Sequence, residues 1–115
     1  MEVDKIPDNL PEDEIKQRVN VIIDKWSNGV SEKKNLLLLL ATLHEVWSKD
    51  DKLKDISLKE LVDDPAKASR EYRKAMLYFH DDKIKKYSIR DQLIAKSLYY
   101  ILTHAHEDYR GKEKY

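Results

Sequence analysis

Apolar residues recur at helical spacing over four stretches of this 115-residue chain. The first stretch runs from about Pro11 to Ser27, and its apolar residues fall on one stripe at intervals of three and four. That spacing is typical of an amphipathic helix with one face in a core. Asn28-Gly29 is the predicted end of this helix. The stripe consists of Ile15, Val19, Ile22, Ile23 and Trp26.

A second helix is predicted from about Glu32 to Trp47, with Ser31 as its N-cap. Its apolar residues occupy more than one face, so this helix must be covered on two sides. We expect the stripe of the first helix to be one of the covers. The apolar residues are Leu36, Leu37, Leu38, Leu39, Leu40, Leu43, Val46 and Trp47.

Capping signals mark the next elements. Ser57-Leu58-Lys59-Glu60 matches a capping box and predicts a short helical turn. Asp64-Pro65 supplies an N-cap followed by proline at the first helical position, which starts a third helix that ends near Phe79. On this helix the predicted core face and the basic face are opposed. The core face is Ala68, Tyr72, Ala75, Met76 and Phe79, and the basic face is Lys67, Arg70, Arg73 and Lys74.

A fourth helix is predicted from Ser88 to about Tyr109. Ser88 and Asp91 have the spacing of another capping box, and Gly111 marks the end of the helix. Its inward-facing residues are Ile94, Ser97, Leu98, Ile101, Leu102 and Ala105. We therefore predict an all-α fold of four helices plus one short turn. The predicted organisation is an acidic tail over residues 1–10, a single domain over 11–110 and a charged tail over 111–115.

Composition narrows the class of protein. Two glycines, three prolines and abundant charged residues are usage typical of a helical protein. The absence of cysteine excludes disulfides, a thiol nucleophile and a cysteine metal site. The longest apolar run, Leu36 to Leu43, is far shorter than the roughly 20 residues that span a bilayer. The acidic N-terminus does not resemble a signal peptide. We expect a soluble, cytoplasmic protein without membrane insertion.

The overall net charge of zero conceals a separation of charge along the chain. Residues 1–14 carry six acidic side chains and one lysine, a net charge of −5. Residues 65–90 carry eight basic and three acidic side chains, a net charge of +5. The second stretch should therefore attract a partner with an acidic surface.

The basic third helix leads into a tripeptide that carries a family resemblance. Tyr72-Arg73-Lys74 begins a stretch that continues through an apolar tyrosine and phenylalanine to His80-Asp81-Asp82-Lys83. This stretch resembles the J-domain pattern, in which a basic helix ends in His-Pro-Asp-Lys. Asp81 stands where that pattern has proline.

Further residues resemble the auxilin branch of the J-domain family. Together the similar positions run from about Ile22 to Tyr109. They include Trp26, Gly29, Asn35, the run Leu39-Leu40-Ala41-Thr42-Leu43-His44, Val46, Trp47, Ile94-Ala95, Leu98-Tyr99, Ile101-Leu102 and Ala105.

The resemblance implies a helical hairpin, with the second and third J-domain helices antiparallel and an additional N-terminal helix beside them. It implies a co-chaperone and not an enzyme. Auxilin-type J domains recruit the 70-kDa heat-shock chaperone to clathrin coats and stimulate its ATPase, so that coated vesicles lose their coats. We therefore expect a monomer without cofactor or metal, cytoplasmic and found on clathrin-coated vesicles. Contact with clathrin is expected through segments that this chain lacks.

The resemblance also assigns roles to residues. It places His80 at the interdomain linker of the chaperone and Asp82 against an arginine of the chaperone, with Asp81 between them. The basic face of the third helix would dock on an acidic surface of the nucleotide-binding domain. The residues assigned to that contact are Lys67, Arg70, Arg73 and Lys74, with Lys83, Lys85 and Lys86 extending the same field.

Other functions stay open at this point. Because Asp81 neither fixes φ nor removes a donor as proline does, the chain could be a J-like module that tethers a partner without stimulating its ATPase. Nucleic-acid binding through the third helix is disfavoured by the neutral overall charge. A metal site at His104 and His106 is disfavoured because residues two apart on a helix point in opposite directions.

Overall fold

The computed structural model of the chain describes residues 2–28 and 34–113, with side chains through Arg110. Its regular structure over those residues is entirely helical, which confirms the predicted all-α class. The α-helices are α1 (Glu12–Asn28), α2 (Leu36–Ala41), α3 (Leu58–Asp63), α4 (Pro65–Tyr78), α5 (Asp81–Ile84) and α6 (Ile89–Glu113). Short 3-10 turns occur at Val3–Lys5, Leu43–Glu45 and Asp51–Asp55. No helix among the described residues is both long enough and apolar enough to cross a membrane.

Three of the helix starts predicted from capping signals are confirmed. In each case a short polar side chain accepts a hydrogen bond from a backbone N–H three residues later, as an N-cap does. The three bonds are Ser57 Oγ with Glu60 N at 3.5 Å, Asp64 Oδ1 with Lys67 N at 3.2 Å and Ser88 Oγ with Asp91 N at 3.2 Å. Local sequence is sufficient for these three helix starts because donor and acceptor lie within one turn.

The predicted second helix is wrong in its extent. In place of one helix from Glu32 to Trp47, α2 covers only Leu36–Ala41 and is followed by a 3-10 turn. Asn35 caps α2 by accepting a hydrogen bond from the Leu38 amide at 2.9 Å. Thr42 ends it, with a hydroxyl that donates to the Leu38 carbonyl at 2.7 Å. This local bond competes with the helical pattern. The proposed N-cap Ser31, like Gly29, lies outside the described residues.

The expectation that the stripe of α1 is one of the covers of the second helix is met only at one end of α1. The principal neighbour of α1 is α6, the longest helix of the fold, whereas α2 is too short to offer α1 a long groove. Val19 and Ile23 are buried in the core. At its C-terminal end α1 meets the turn after α2, where Trp26 Nε1 donates to the Thr42 carbonyl at 3.0 Å.

Helices α4 and α6 form the antiparallel hairpin that the resemblance implied. The ring of Tyr72 stacks on His106 with centroids 3.9 Å apart, and further along α4 the sulfur of Met76 accepts from the Thr103 hydroxyl at 3.6 Å. As numbers rise along α4, those of the contacting residues on α6 fall, so the two helices run in opposite directions. The helix α6 continues to Glu113, so its predicted end near Tyr109 was placed too early.

The first ten residues contain more structure than the predicted acidic tail. Val3 and Ile6 are buried in the same core as α1 and α6. Acidic residues Asp4 and Asp8 remain on the surface beside them. The described part of this segment therefore packs against the domain.

Candidate functional site

His80 lies between the end of α4 and the start of α5, at one end of the hairpin. Its backbone is extended, with φ −63° and ψ 143°, and its side chain caps α5. The ring Nδ1 accepts a hydrogen bond from the Asp82 amide at 3.2 Å. An imidazole whose Nδ1 accepts carries its proton on Nε2 when neutral. The half-exposed ring can therefore offer a donor, Nε2–H, to a partner.

Asp81 occupies the first position of α5. Proline is favoured at this position because the first amide of a helix has no intrahelical acceptor. The extended backbone of His80 is also the conformation that a following proline requires. The loop thus adopts, with aspartate, a geometry in which proline would fit. The carboxylates of Asp81 and Asp82 add favourable negative charge at the N-terminus of the helix.

Asp82 is exposed and pairs weakly with Lys85. Its carboxylate lies 3.5 Å from Lys85 Nζ. Ion pairs between exposed side chains contribute little to stability and rearrange easily. The Asp82 carboxylate can therefore exchange Lys85 for a cation on a partner.

The predicted basic face of α4 lies mostly on the surface. Arg70, Arg73 and Lys74 are exposed, and Lys74 pairs loosely with Glu71 at 3.5 Å. Lys67 differs, because it is partly covered and pairs with Glu60 of α3. The hydrogen bond with Glu60 raises the pKa of Lys67. Three of the four predicted basic residues are therefore presented outward, and Lys67 is engaged with its neighbour.

The three lysines predicted to extend this field are all exposed. Lys83 lies on α5, and Lys85 and Lys86 lie in the turn that follows it. Lys86 Nζ sits 5.3 Å from the ring centroid of Tyr87. These three lysines therefore lie with His80 and Asp82 beyond the C-terminal end of α4, whereas Lys67 lies near the start of that helix.

A cavity of about 380 Å³ adjoins His80, between the junction of α4 with α5 and the facing side of α6. Two of its lining residues, Tyr99 and Tyr100, are large aromatic side chains that are exposed. The sequence offers one signal of this exposure: the two tyrosines are adjacent in the chain and lie beside the predicted core face of α6, not on it. The lining residues are Phe79, His80, Asp81, Lys96, Tyr99, Tyr100, Thr103 and His104.

A second cavity, of about 240 Å³, lies on the other flank of α4. The turn at Asp51–Asp55 forms one wall, and Tyr78 lines the cavity near Phe79. Burial raises the pKa of the Tyr78 phenol, which therefore stays neutral at ordinary pH. Within residues 2–28 and 34–113 there is no group of three side chains able to hold a metal ion.

Comparisons with known proteins give two partial similarities. No family model matches the chain, and no solved structure matches it. The chain is 37% identical over 94 residues to UBA domain-containing protein 7 of Schizosaccharomyces pombe. It is 30% identical over 94 residues to Auxilin-like protein 1 of Arabidopsis thaliana. These alignments cover 81% and 80% of this chain, but only 13% and 6% of the two relatives. The chain is thus similar to a small part of each of two much longer proteins, one of them named as auxilin-like.

Proposed function

We propose that this chain is an auxilin-like J domain that binds a 70-kDa heat-shock chaperone and stimulates its ATPase. The observation that carries the proposal is the position of His80. It caps α5 at the end of a basic helix, within an antiparallel hairpin, with Nε2 left for a partner. The partial similarity to Auxilin-like protein 1 supports the same assignment. Disassembly of clathrin coats is the process we propose for it, on the strength of the auxilin resemblance.

The charge distribution suits such a partner. Arg70, Arg73 and Lys74 lie exposed along α4, and exposed lysines follow His80 on α5 and in the turn after it. A continuous positive field steers an acidic partner and fixes its orientation during encounter. The field would bring the acidic surface of the chaperone's nucleotide-binding domain onto α4 and leave His80 and Asp82 at the edge of that contact.

A second candidate is a J-like module that tethers the chaperone without stimulating hydrolysis. The specific observation in its favour is Asp81, which adds a negative charge in the middle of the motif. In this alternative the basic face would still bind. The two candidates differ in what happens after binding, and not in which surface is used.

A single-turnover ATPase assay tests the proposal. The chaperone is loaded with ATP, the full chain is added at increasing concentration, and both binding and hydrolysis are followed. We expect the hydrolysis rate to rise with the concentration of the chain and to saturate. Binding without acceleration would favour the tethering module. An absence of binding would contradict both candidates.

Replacing Asp81 by proline is expected to increase stimulation at subsaturating concentrations. Proline fits the first position of α5 and reduces the number of loop conformations that must be ordered on binding. Restricting the loop in this way is expected to improve the binding free energy by about 0.4–1 kcal/mol, which is two- to fivefold in affinity. Asp81→Ala is the matched control, because it removes the same charge without fixing φ. Equal stimulation by the two variants would assign the effect to charge and not to rigidity.

Reversing the charges of Arg70 and Arg73 to glutamate is expected to slow association with the chaperone by roughly tenfold or more. The remaining binding should depend less on salt, because the steering field has been removed. Association rates measured at several salt concentrations check this. Lys16→Glu with Arg18→Glu is the matched control, since it makes the same change of net charge on exposed residues of α1. Equal slowing by both pairs would mean that total charge, and not the α4 surface, governs encounter.

A further inference from the structure

Asp91 is a buried carboxylate at the start of α6, with 5% of its surface exposed. One carboxylate oxygen lies 3.2 Å from Lys49 Nζ and the other lies 3.2 Å from Arg90 Nε. Its backbone N–H donates to Ser88 Oγ. A buried charge is tolerated only where it is paired and hydrogen-bonded. Asp91 therefore joins the loop after Trp47 to the first turn of α6.

Arg90 extends this cluster to the N-terminal segment. Its guanidinium NH1 donates to the backbone carbonyls of Asp4 at 3.2 Å and Ile6 at 2.9 Å. Its Nε also lies 3.8 Å from the Asp8 carboxylate. With Ile6 buried beside it, the segment is held by both apolar packing and hydrogen bonds. Residues that are far apart in sequence thus meet at the start of α6.

The ion cluster is connected to His80 by aromatic contacts. Lys49 Nζ lies 5.9 Å from the ring centroid of Tyr87, and the Tyr87 ring lies 5.5 Å from that of Trp47. Trp47 in turn makes an edge contact at 5.2 Å with Phe79, the residue directly before His80. Edge-to-face aromatic pairs of this kind have a preferred geometry and hold their neighbours in place. The Lys49 loop therefore connects Asp91 to the end of α4.

We propose that Asp91 is a positioning residue, which holds His80 and α5 in the conformation that a partner recognises by fixing the Lys49 loop and the aromatic contacts next to it. The functional part of this inference rests on the proposed chaperone contact. Asp91 itself is buried away from the partner surface and acts only through its neighbours.

Removing the negative charge of Asp91 should weaken the contacts that hold the Lys49 loop. Asp91→Asn removes the carboxylate that pairs with Lys49 and leaves Arg90 with only the more distant Asp8 carboxylate, although the shape of the side chain is kept. The Lys49 loop and its contact with Tyr87 should then loosen. If His80 occupies its binding conformation for a smaller fraction of the time, the apparent affinity falls by that fraction while the saturated rate is kept.

The first test needs no chaperone. Solvent exchange of the Lys83 and Ile84 amides, which bond to the His80 carbonyl at 2.9 and 3.2 Å, is measured by NMR in Asp91→Asn and in Asp63→Asn. The second variant breaks the exposed Lys59–Asp63 pair and is the matched control. We expect exchange at α5 to be about fivefold faster in Asp91→Asn alone, with the α1 amide of Ile23 unchanged. Unchanged exchange at α5, or equal acceleration at Ile23, would overturn the positioning role.

The second test measures the functional consequence. In the ATPase assay Asp91→Asn should raise the half-saturating concentration of the chain by about fivefold and leave the maximal rate unaltered. A lowered maximal rate at an unaltered half-saturating concentration would overturn the inference. If α5 loosens as expected but even the unsubstituted chain does not stimulate hydrolysis, the proposed function fails and the positioning of His80 by Asp91 stands.

Discussion

Deletion of residues 1–28 is expected to leave a chain that does not fold. This deletion removes α1, whose buried apolar side chains Ile15, Val19, Ile23 and Trp26 complete the core against α6. At about 1.5–3 kcal/mol for each buried side chain, the loss is roughly 6–12 kcal/mol. A domain of this size has a total stability of about 5–15 kcal/mol. Circular dichroism of the truncated chain should therefore show little helix and no cooperative thermal transition.

Point variants separate the core contribution of α1 from the effect of shortening the chain. Ile23→Ala should lower the free energy of unfolding by about 2–5 kcal/mol, because a large side chain that is 1% exposed is replaced by a small one. Val21→Ala on the same helix should change it by less than about 0.5 kcal/mol, since Val21 is 61% exposed. Similar values for the two variants, measured by denaturant unfolding, would show that α1 does not pack as described.

The elements that local sequence predicts well are those whose signals lie within one turn. The helix α4 is an example, because Asp64 caps it, Pro65 fits its first position and its apolar and basic residues lie on opposite faces. The motif after it is equally local, so His80 and its neighbours could be placed at the end of the hairpin. The predicted extent of the second helix was wrong because Thr42 ends α2. Its hydroxyl donates to the Leu38 carbonyl and accepts from Nε1 of the distant Trp26.

Long-range contacts explain what the sequence left unpredicted. The bonds from Arg90 to the carbonyls of Asp4 and Ile6 span 86 and 84 residues. Every residue has a backbone carbonyl, so the sequence gives no sign that these two accept hydrogen bonds. For this reason the acidic segment was predicted to be an unattached tail. The cavity beside His80 was missed for a related reason. Aromatic residues are common in protein cores, and only the position of α6 in the hairpin leaves Tyr99 and Tyr100 on the surface.

Replacing His80 by asparagine is expected to abolish ATPase stimulation while leaving the fold intact. Asparagine is among the best N-cap residues, so its side-chain oxygen can replace Nδ1 as the acceptor for the Asp82 amide. It is too short to present a donor where the imidazole Nε2–H lies. The rate of chaperone ATP hydrolysis should therefore stay at its unstimulated value, and the melting temperature of the variant should match that of the unsubstituted chain.

His80→Gln completes this comparison, because it removes the cap as well as the imidazole. Glutamine is not a favoured N-cap, and the loss of a cap costs about 1 kcal/mol. We expect His80→Gln to be inactive and also less protected at α5, whereas His80→Asn is inactive with α5 protected. Stimulation retained by His80→Asn but lost in His80→Gln would show that His80 acts only by capping α5. The partner contact proposed for Nε2 would then be wrong, and the basic face of α4 would be left as the recognition surface.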